Sequence, residues 1–360
     1  MNEAIESAVA KTIELAQVPG MALAVARRGQ PVEHLYRGAD AEGAPIQSDS
    51  LFPIASITKL AVALTVLRLV DRGNLAIDDP LAAHLPEAAA AQRGVTLRKL
   101  LCHTSGLPAD VAPAAAPYHF GLSWPKLARA CLERPLQAPP DTRVEYSNVG
   151  YGLLAIVVER KTAQPFATAL ARLVLEPLGI EGYLGVEPPR APARLAGIHG
   201  KHAGTDLEAY NSAFWRSLAL PWCGLLTTVD GALSLVQAFD GYPSGFLRPE
   251  TLAEATRNQV GDLSCKLFGL IPWAHCHWGL GPEIRDAKKP HWAPPEASPG
   301  SFGHAGQSGC LAWSDPAAGV AWAYLGARTA DSGWLLKRAP AIGSAILASA
   351  GERDIQGLAE

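Results

Sequence analysis

Strand-like segments in this chain fall at its two ends, and that placement constrains the fold more than any other feature. Residues 21–26 form an apolar run, 27–30 hold a glycine turn, and 31–37 are a second strand-like stretch, so together they read as a hairpin. Near the other end, 310–314 and 320–325 flank Asp315-Pro316-Ala317-Ala318-Gly319, whose proline and glycine suit the early and late positions of a turn. A C-terminal helix is expected over 341–350. The middle is different: alanine- and leucine-rich helical stretches are separated by Pro/Gly-rich loops at 108–117, 187–192 and 290–299. Strands so far apart share a core by pairing the two termini. The expected fold class is α/β (α+β): an antiparallel sheet formed by N- and C-terminal segments, flanked by helices, with an inserted mostly helical domain. Residues 1–75 plus 225–360 would build the sheet domain and 76–224 the insert, and the cleft between them is where a functional site is expected.

Charge and hydropathy then remove several function classes. The 31 basic and 34 acidic side chains nearly cancel and form no long basic run, so nucleic acid is not an expected partner. Hydrophobic residues at 48% are ample for a large core. No uninterrupted apolar run reaches the roughly 18 residues of a membrane helix. The best contender, 60–70, is cut by Arg68. At the N-terminus Glu3 and Glu6 come first, while Ile5, Val9 and Ile13 recur at helical spacing around Lys11 and Glu14. That pattern is an amphipathic helix rather than an export signal, so a cytoplasmic address is expected. The six cysteines are scattered without a CxxC pair and read as buried thiols. His275-Cys276-His277 invites a metal, but adjacent residues rarely point at one ion, and no metal site or cofactor is expected.

Three short motifs carry chemistry. Ser56-Ile57-Thr58-Lys59 opens the segment 55–71, which is apolar on nearly every side and reads as a buried central helix. Three apart, Ser56 and Lys59 are neighbours on one helical face. A lysine backed by apolar residues is costly to keep charged, and such a lysine can take a serine's proton. Tyr146-Ser147-Asn148 is a Tyr-x-Asn in a loop entering a helix, where a phenol and an amide can both face a cleft. Gly303-His304-Ala305-Gly306-Gln307 precedes the C-terminal hairpin, and glycines there permit close ligand approach. The N–H of Gln307 can join that of Ser56 as an oxyanion hole. Singly each motif is weak: Ser123-Trp124-Pro125-Lys126 repeats the first pattern and His202-Ala203-Gly204 the last.

Taken in order, Ser-x-x-Lys, Tyr-x-Asn and His-x-Gly, with His103-Thr104-Ser105-Gly106-Leu107-Pro108 between the first two, make the chain resemble the serine β-lactamase and penicillin-binding-protein superfamily. It looks closest to the branch holding class C β-lactamases, D-alanyl-D-alanine carboxypeptidases and family VIII carboxylesterases. The similarity spans nearly the whole chain, including Gly224-Leu225-Leu226-Thr227-Thr228 with Asp230, and residues 315–319. The resemblance implies Ser56 as nucleophile, Lys59 and Tyr146 as the proton-transfer pair, Asn148 orienting substrate and Lys59, and Ser56 with Gln307 donating the oxyanion N–H groups. His103 is expected to be structural. An α/β-hydrolase would show Gly-x-Ser-x-Gly, and Pro299-Gly300-Ser301-Phe302-Gly303 lacks the first glycine.

Many relatives of that kind carry Lys-Thr-Gly where this chain has His304-Ala305-Gly306. Making Tyr146 a phenolate at neutral pH asks for roughly 4 kcal/mol. One cation at about 4 Å supplies on the order of 4 kcal/mol at an effective dielectric of about 20, without margin. Proton sharing between Lys59 and Tyr146 is therefore expected, with activity rising toward alkaline pH. Loss of a fixed cation also favours neutral acyl substrates over carboxylates. The expected function is a serine hydrolase acting on small ester or amide substrates through an acyl-enzyme, esters foremost, with weak β-lactam hydrolysis compatible. A class C-type β-lactamase, a D-alanyl-D-alanine carboxypeptidase, an acyltransferase on the same scaffold and a non-catalytic binding protein are the alternatives. Tyr118, Trp124, Trp222 and the loop 110–120 are candidate walls of an acyl pocket.

Overall fold

The computed structural model describes all residues except 112–118, 186–187, 189, 198–201, 268–270 and 358–360, and for 267 and 350–357 the backbone alone. Tyr118 and parts of the loops expected at 108–117 and 187–192 lie outside the described residues.

The chain opens with a helix, Glu3–Ala16, capped by Asn2, whose Oδ1 accepts the Ile5 N–H at 3.0 Å. Strands β1 (Gly20–Arg27) and β2 (Glu33–Gly38) follow as an antiparallel hairpin. Short strands β3 (Phe52–Pro53), β4 (Gly182–Tyr183) and β5 (Leu226–Thr227) form a small sheet beside the site. Strands β6 (Cys265–Leu267) and β7 (Ile271–Trp273) form a separate hairpin. Then β8 (Glu283–Ile284), β9 (Phe302–Gly306), β10 (Cys310–Asp315) and β11 (Val320–Gly326) return to the first hairpin. The six-stranded sheet runs β2-β1-β11-β10-β9-β8, antiparallel throughout, and the two termini meet where β1 pairs β11 with Leu23 opposite Tyr324.

Residue size explains why both faces are covered. Ala22, Ala24, Ala26, Ala312, Ala321 and Ala323 pack into one hydrophobic cluster together with the helix Val229–Phe239. Alternate residues Met21, Leu23, Val25, Leu311, Trp313, Trp322 and Tyr324 enter a second cluster with Ile5 and Val9 of the first helix and Ile342 and Ile346 of the last. Small side chains thus admit a close helix on one face, and large ones fill the space under the terminal helices on the other. Strands buried on both faces read as continuous apolar runs, which is the pattern of β1 and β11.

The same cluster takes in the helix Thr58–Asp71, packed against the helix Asn148–Thr162. The segment expected as one helix from Ala55 begins as a single 3₁₀ turn, Ala55–Ile57, before the α-helix starts. The last helix also differs from expectation: it spans Trp334–Gly357 and passes through Pro340. A proline removes one N–H yet is tolerated where the flanking side chains are anchored, here by buried Trp334, Leu335, Ala339 and Ile342. Among the described residues no helix is long and apolar enough to cross a membrane. All six cysteines are free thiols; five are buried, and Cys223 is a partly buried residue whose thiol is turned inward.

Candidate active site

Backbone geometry presents Ser56. Ala55, immediately before it, holds a left-handed φ of +46°, unusual for a residue with a Cβ, and turns the chain from β3 into the 3₁₀ turn that carries the hydroxyl. Strand β9 closes the other side. A Cβ on Gly306 would sit 2.4 Å from the Ile54 carbonyl oxygen, so only glycine lets that strand end approach the serine turn. Gln307 follows, exposed, with its side-chain Nε2 donating to Asp331 Oδ1 at 2.8 Å and its carbonyl accepting from Ala330 N–H.

One helical turn past the serine, Lys59 is fully buried. Its Nζ donates to Ser56 Oγ at 3.4 Å and to the Trp222 carbonyl at 2.9 Å, and lies 4.7 Å from the centre of the Tyr146 ring. Burial drives its pKa down from the usual 10.5 to about 7, against the smaller opposing pull of Cys223 and Asp110. At neutral pH the amine is therefore part free base.

Tyr146 arrives from the far side of the cleft, and its hydroxyl is hydrogen-bonded to that of Ser56. Burial pushes the phenol up from the ordinary tyrosine value, so it is a protonated hydroxyl rather than a phenolate. Its ring is held by tilted aromatic contacts: His103 lies 4.6 Å away, Trp278 6.0 Å and His304 6.0 Å, centroid to centroid. His103 is buried, with Nδ1 accepting the Ser147 N–H at 3.1 Å, and burial holds it neutral. Ser147 caps the helix Asn148–Thr162 through its Oγ, which accepts the Gly150 N–H and donates to the Pro108 carbonyl. The capping residue is thus Ser147, leaving the Asn148 side chain free to face elsewhere.

Asn148 Nδ2 donates to Asp110 Oδ2 at 3.2 Å. The hydrogen bond from Lys59 that the resemblance implied for Asn148 is not formed among the described residues; the Trp222 carbonyl receives it instead. His304 is buried on β9, its Nδ1 2.7 Å from the Ala305 carbonyl oxygen and its Nε2 without a hydrogen-bond partner among the described residues. Burial first, and the Lys59 charge second, lower its pKa to about 4, so the third motif contributes a neutral ring.

Ser56, Lys59 and Tyr146 therefore share one site, with His304 and Gly306 on its β9 wall and Asn148 at the helix end beside Tyr146. Trp222 and Trp124 sit 6.1 Å apart, and Trp124 Nε1 donates to Glu159. The decoy Lys126 is exposed and bonds the Gly121 carbonyl, away from any such constellation. Sequence reasoning named Trp222 and the loop 110–120 only as candidate pocket walls; it did not find the Trp222 carbonyl as the partner of Lys59, the Asp110–Asn148 bond or Trp278. The tyrosine motif has no local pattern that points to a tryptophan so far along the chain, whereas Trp222 does directly precede the Cys223-Gly224 stretch that the resemblance had already singled out. His275 and His277 both face Asp262, and among the described residues no group of three or more His, Cys, Asp or Glu side chains could hold a metal.

A group of this shape, a serine joined to a buried amine and a neutral phenol, can form and release an acyl intermediate. Comparison with known proteins shows the family. The family described as Beta-lactamase matches residues 5–344. Esterase EstB of Burkholderia gladioli is 34% identical over 298 residues, covering 73% of this chain and 74% of its own length. Penicillin-binding protein 4 of Amycolatopsis lactamdurans is 33% identical over 282 residues, 73% of this chain and 71% of that protein. A β-lactamase crystal structure from Mycobacterium bovis superposes with a TM-score of 0.67 at 29% identity, covering 94% of this chain and 99% of the other.

Proposed function

The chain belongs to the beta-lactamase family of serine hydrolases and their relatives, and from that membership we propose that it is an esterase acting through an acyl-enzyme on Ser56. One observation carries the reading: a fully buried lysine with a pKa of about 7 donates to the serine hydroxyl, while the third motif offers a neutral histidine in place of a fixed cation.

In this mechanism Ser56 Oγ attacks the ester carbonyl as its proton passes to the free-base form of Lys59. The tetrahedral oxyanion lies on the backbone N–H groups of Ser56 and Gln307. As the intermediate collapses, the alkoxide leaves with the proton of Tyr146, which Lys59 replaces. Water then attacks the acyl-enzyme along the same proton path, releasing the carboxylic acid and restoring Ser56. One ester and one water give one acid and one alcohol. The substrate would enter between the parts formed by 1–75 with 225–360 and by 76–224, with Trp124 and Trp222 lining the acyl side.

Esters are preferred over carboxylate-bearing β-lactams because a buried neutral ring at His304 cannot balance a substrate anion. Similarity to an esterase at 34% identity supports this preference. Intact-protein mass spectrometry after exposure to short-chain p-nitrophenyl esters and to a chromogenic cephalosporin tests it. The expected result is an acyl adduct mapped to Ser56, lost in Ser56→Ala, with ester turnover exceeding that of the cephalosporin. Intact ester turnover in Ser56→Ala would remove the nucleophile assignment, and faster cephalosporin turnover the preference.

A further inference from the structure

The fixed charge facing the reactive amine is single and negative. Six titratable side chains surround Lys59: Tyr146, Tyr151, His103, His304, Cys223 and Asp110. Burial holds the two histidines neutral, and it holds the Tyr146 and Tyr151 phenols and the Cys223 thiol protonated, the thiol being pushed up to about 12. That leaves the Asp110 carboxylate. Its two hydrogen bonds come from neutral donors, the Val111 N–H at 2.7 Å and Asn148 Nδ2 at 3.2 Å, and no lysine or arginine pairs with it among the described residues.

Asp110 is also held in place from both sides. The Asn148 N–H donates to the Ala109 carbonyl at 2.8 Å, and Ser147 Oγ donates to the Pro108 carbonyl at 2.6 Å, which straps the 108–110 segment onto the helix that carries Tyr146 at its mouth. From Ser56 the path is short: hydroxyl to Tyr146, two residues on to Asn148, and one hydrogen bond to Asp110. A half-buried carboxylate bound only by neutral groups, and strapped to the segment that carries Tyr146, attracts a cation.

We infer that Asp110 is a specificity-determining residue that receives a substrate ammonium, and that the preferred acyl groups are α-amino acyl groups with a free amine, as in amino acid esters and amides. An amine on the α-carbon stays within reach of Asp110 while the carbonyl lies over Ser56. A carboxylate at that position meets like charge, which extends the disfavour already argued from His304. This inference rests on the esterase reading above and names its substrate class.

The test compares hydrolysis, at one neutral pH, of the methyl esters of alanine and phenylalanine, in both enantiomers, with their N-acetyl counterparts. Wild type, Asp110→Asn and Asp110→Glu are assayed side by side, with p-nitrophenyl butyrate as a substrate that has no amine. The expected result is a preference of about tenfold or more for the free amine in wild type. That preference falls to near unity in Asp110→Asn and is partly kept in Asp110→Glu. A wild-type enzyme that hydrolyses the N-acetyl esters as well as the free amines, or an Asp110→Asn variant with the same preference as wild type, overturns the inference. Failure of the esterase reading is distinguishable, because then p-nitrophenyl butyrate is not turned over either and no acyl adduct forms on Ser56; that outcome overturns both.

Discussion

Lys59 Nζ donates to Ser56 Oγ at 3.4 Å from a position with no solvent exposure. The contact is long for a hydrogen bond, and the amine behind it has a pKa of about 7 because burial disfavours its charge. A base must be unprotonated to take the serine proton. The expected kcat/KM for p-nitrophenyl butyrate therefore falls about tenfold per pH unit below pH 7, and levels off above it. A pH–rate profile checks this, and a rate that stays flat down to about pH 5 would remove Lys59 as the base.

The same burial predicts a trade of stability against activity. In the unfolded chain lysine titrates near 10.4, about three units above its folded value, so the folded state at pH 7 loses roughly 4 kcal/mol by burying an amine that water would protonate. Between about pH 7 and pH 10 the unfolded state binds more protons, so wild-type stability rises with pH across that window. Lys59→Met removes the effect but leaves the Trp222 carbonyl unpaired, at about 1–3 kcal/mol. The burial cost of the amine exceeds that of the unpaired carbonyl. Thermal melts are expected to show Lys59→Met a few degrees more stable than wild type at pH 7, with the margin shrinking toward pH 10, while ester turnover is lost. A margin that does not change with pH would mean that Lys59 is charged in the folded protein.

Much of this was legible in the sequence, for reasons particular residues show. Residues 21–26 and 320–325 read as strands because each is buried on both faces, which demands an unbroken apolar run. Ser56 and Lys59 read as a pair because helical spacing is a local rule. Tyr146, Asn148 and His304 were singled out as motifs and given roles by resemblance, and the structure brings Tyr146 to the serine hydroxyl and His304 beside the Tyr146 ring from separate elements. What was not legible depends on long-range packing or on main-chain atoms. The Trp222 carbonyl is a backbone group whose identity as Lys59's partner leaves no side-chain mark. The Asp110–Asn148 bond joins segments far apart in the chain. The 3₁₀ start at Ala55 comes with a left-handed φ, and nothing local in Ile54-Ala55-Ser56 predicts it. The last helix starts before the expected 341–350 because buried Trp334, Leu335 and Ala339 anchor the turns ahead of Pro340, a tertiary effect with no local mark.

His304 offers a substitution that should redirect the enzyme. Its neutral ring occupies the place where a lysine stands in many relatives that the chain resembles, and its Nε2 has no partner among the described residues. His304→Lys adds an ammonium close to Lys59 and to the Tyr146 ring, 6.0 Å from the present imidazole. The two amines then depress one another, and the site gains a partner for a substrate carboxylate. The ratio of cephalosporin to butyrate turnover is expected to rise by about tenfold or more, since one charge-assisted hydrogen bond is of that order. An unchanged ratio would show that position 304 does not face the substrate.

Gly306 tests whether the close approach of β9 to the serine turn is required. In Gly306→Ala the new methyl would sit 2.4 Å from the Ile54 carbonyl oxygen and 3.4 Å from the Ala55 Cβ. Real contacts of that kind are wider, so either the strand end or the turn must retreat. Neither is free: β9 is hydrogen-bonded along β10 from Phe302 to Gly306, and Ile54 is tied through its N–H to the Leu225 carbonyl at 3.0 Å. Overpacking of this kind costs about 1–3 kcal/mol. The kinetic effect is expected to be larger than the stability effect, because the displaced atoms carry the N–H groups of Ser56 and Gln307, and loss of one oxyanion donor costs roughly 100- to 1,000-fold in kcat. Denaturant unfolding and steady-state kinetics on the same preparation separate the two. A variant that is destabilised by the expected amount yet keeps wild-type kcat would show that the approach of β9 serves packing alone, and that the oxyanion is held elsewhere.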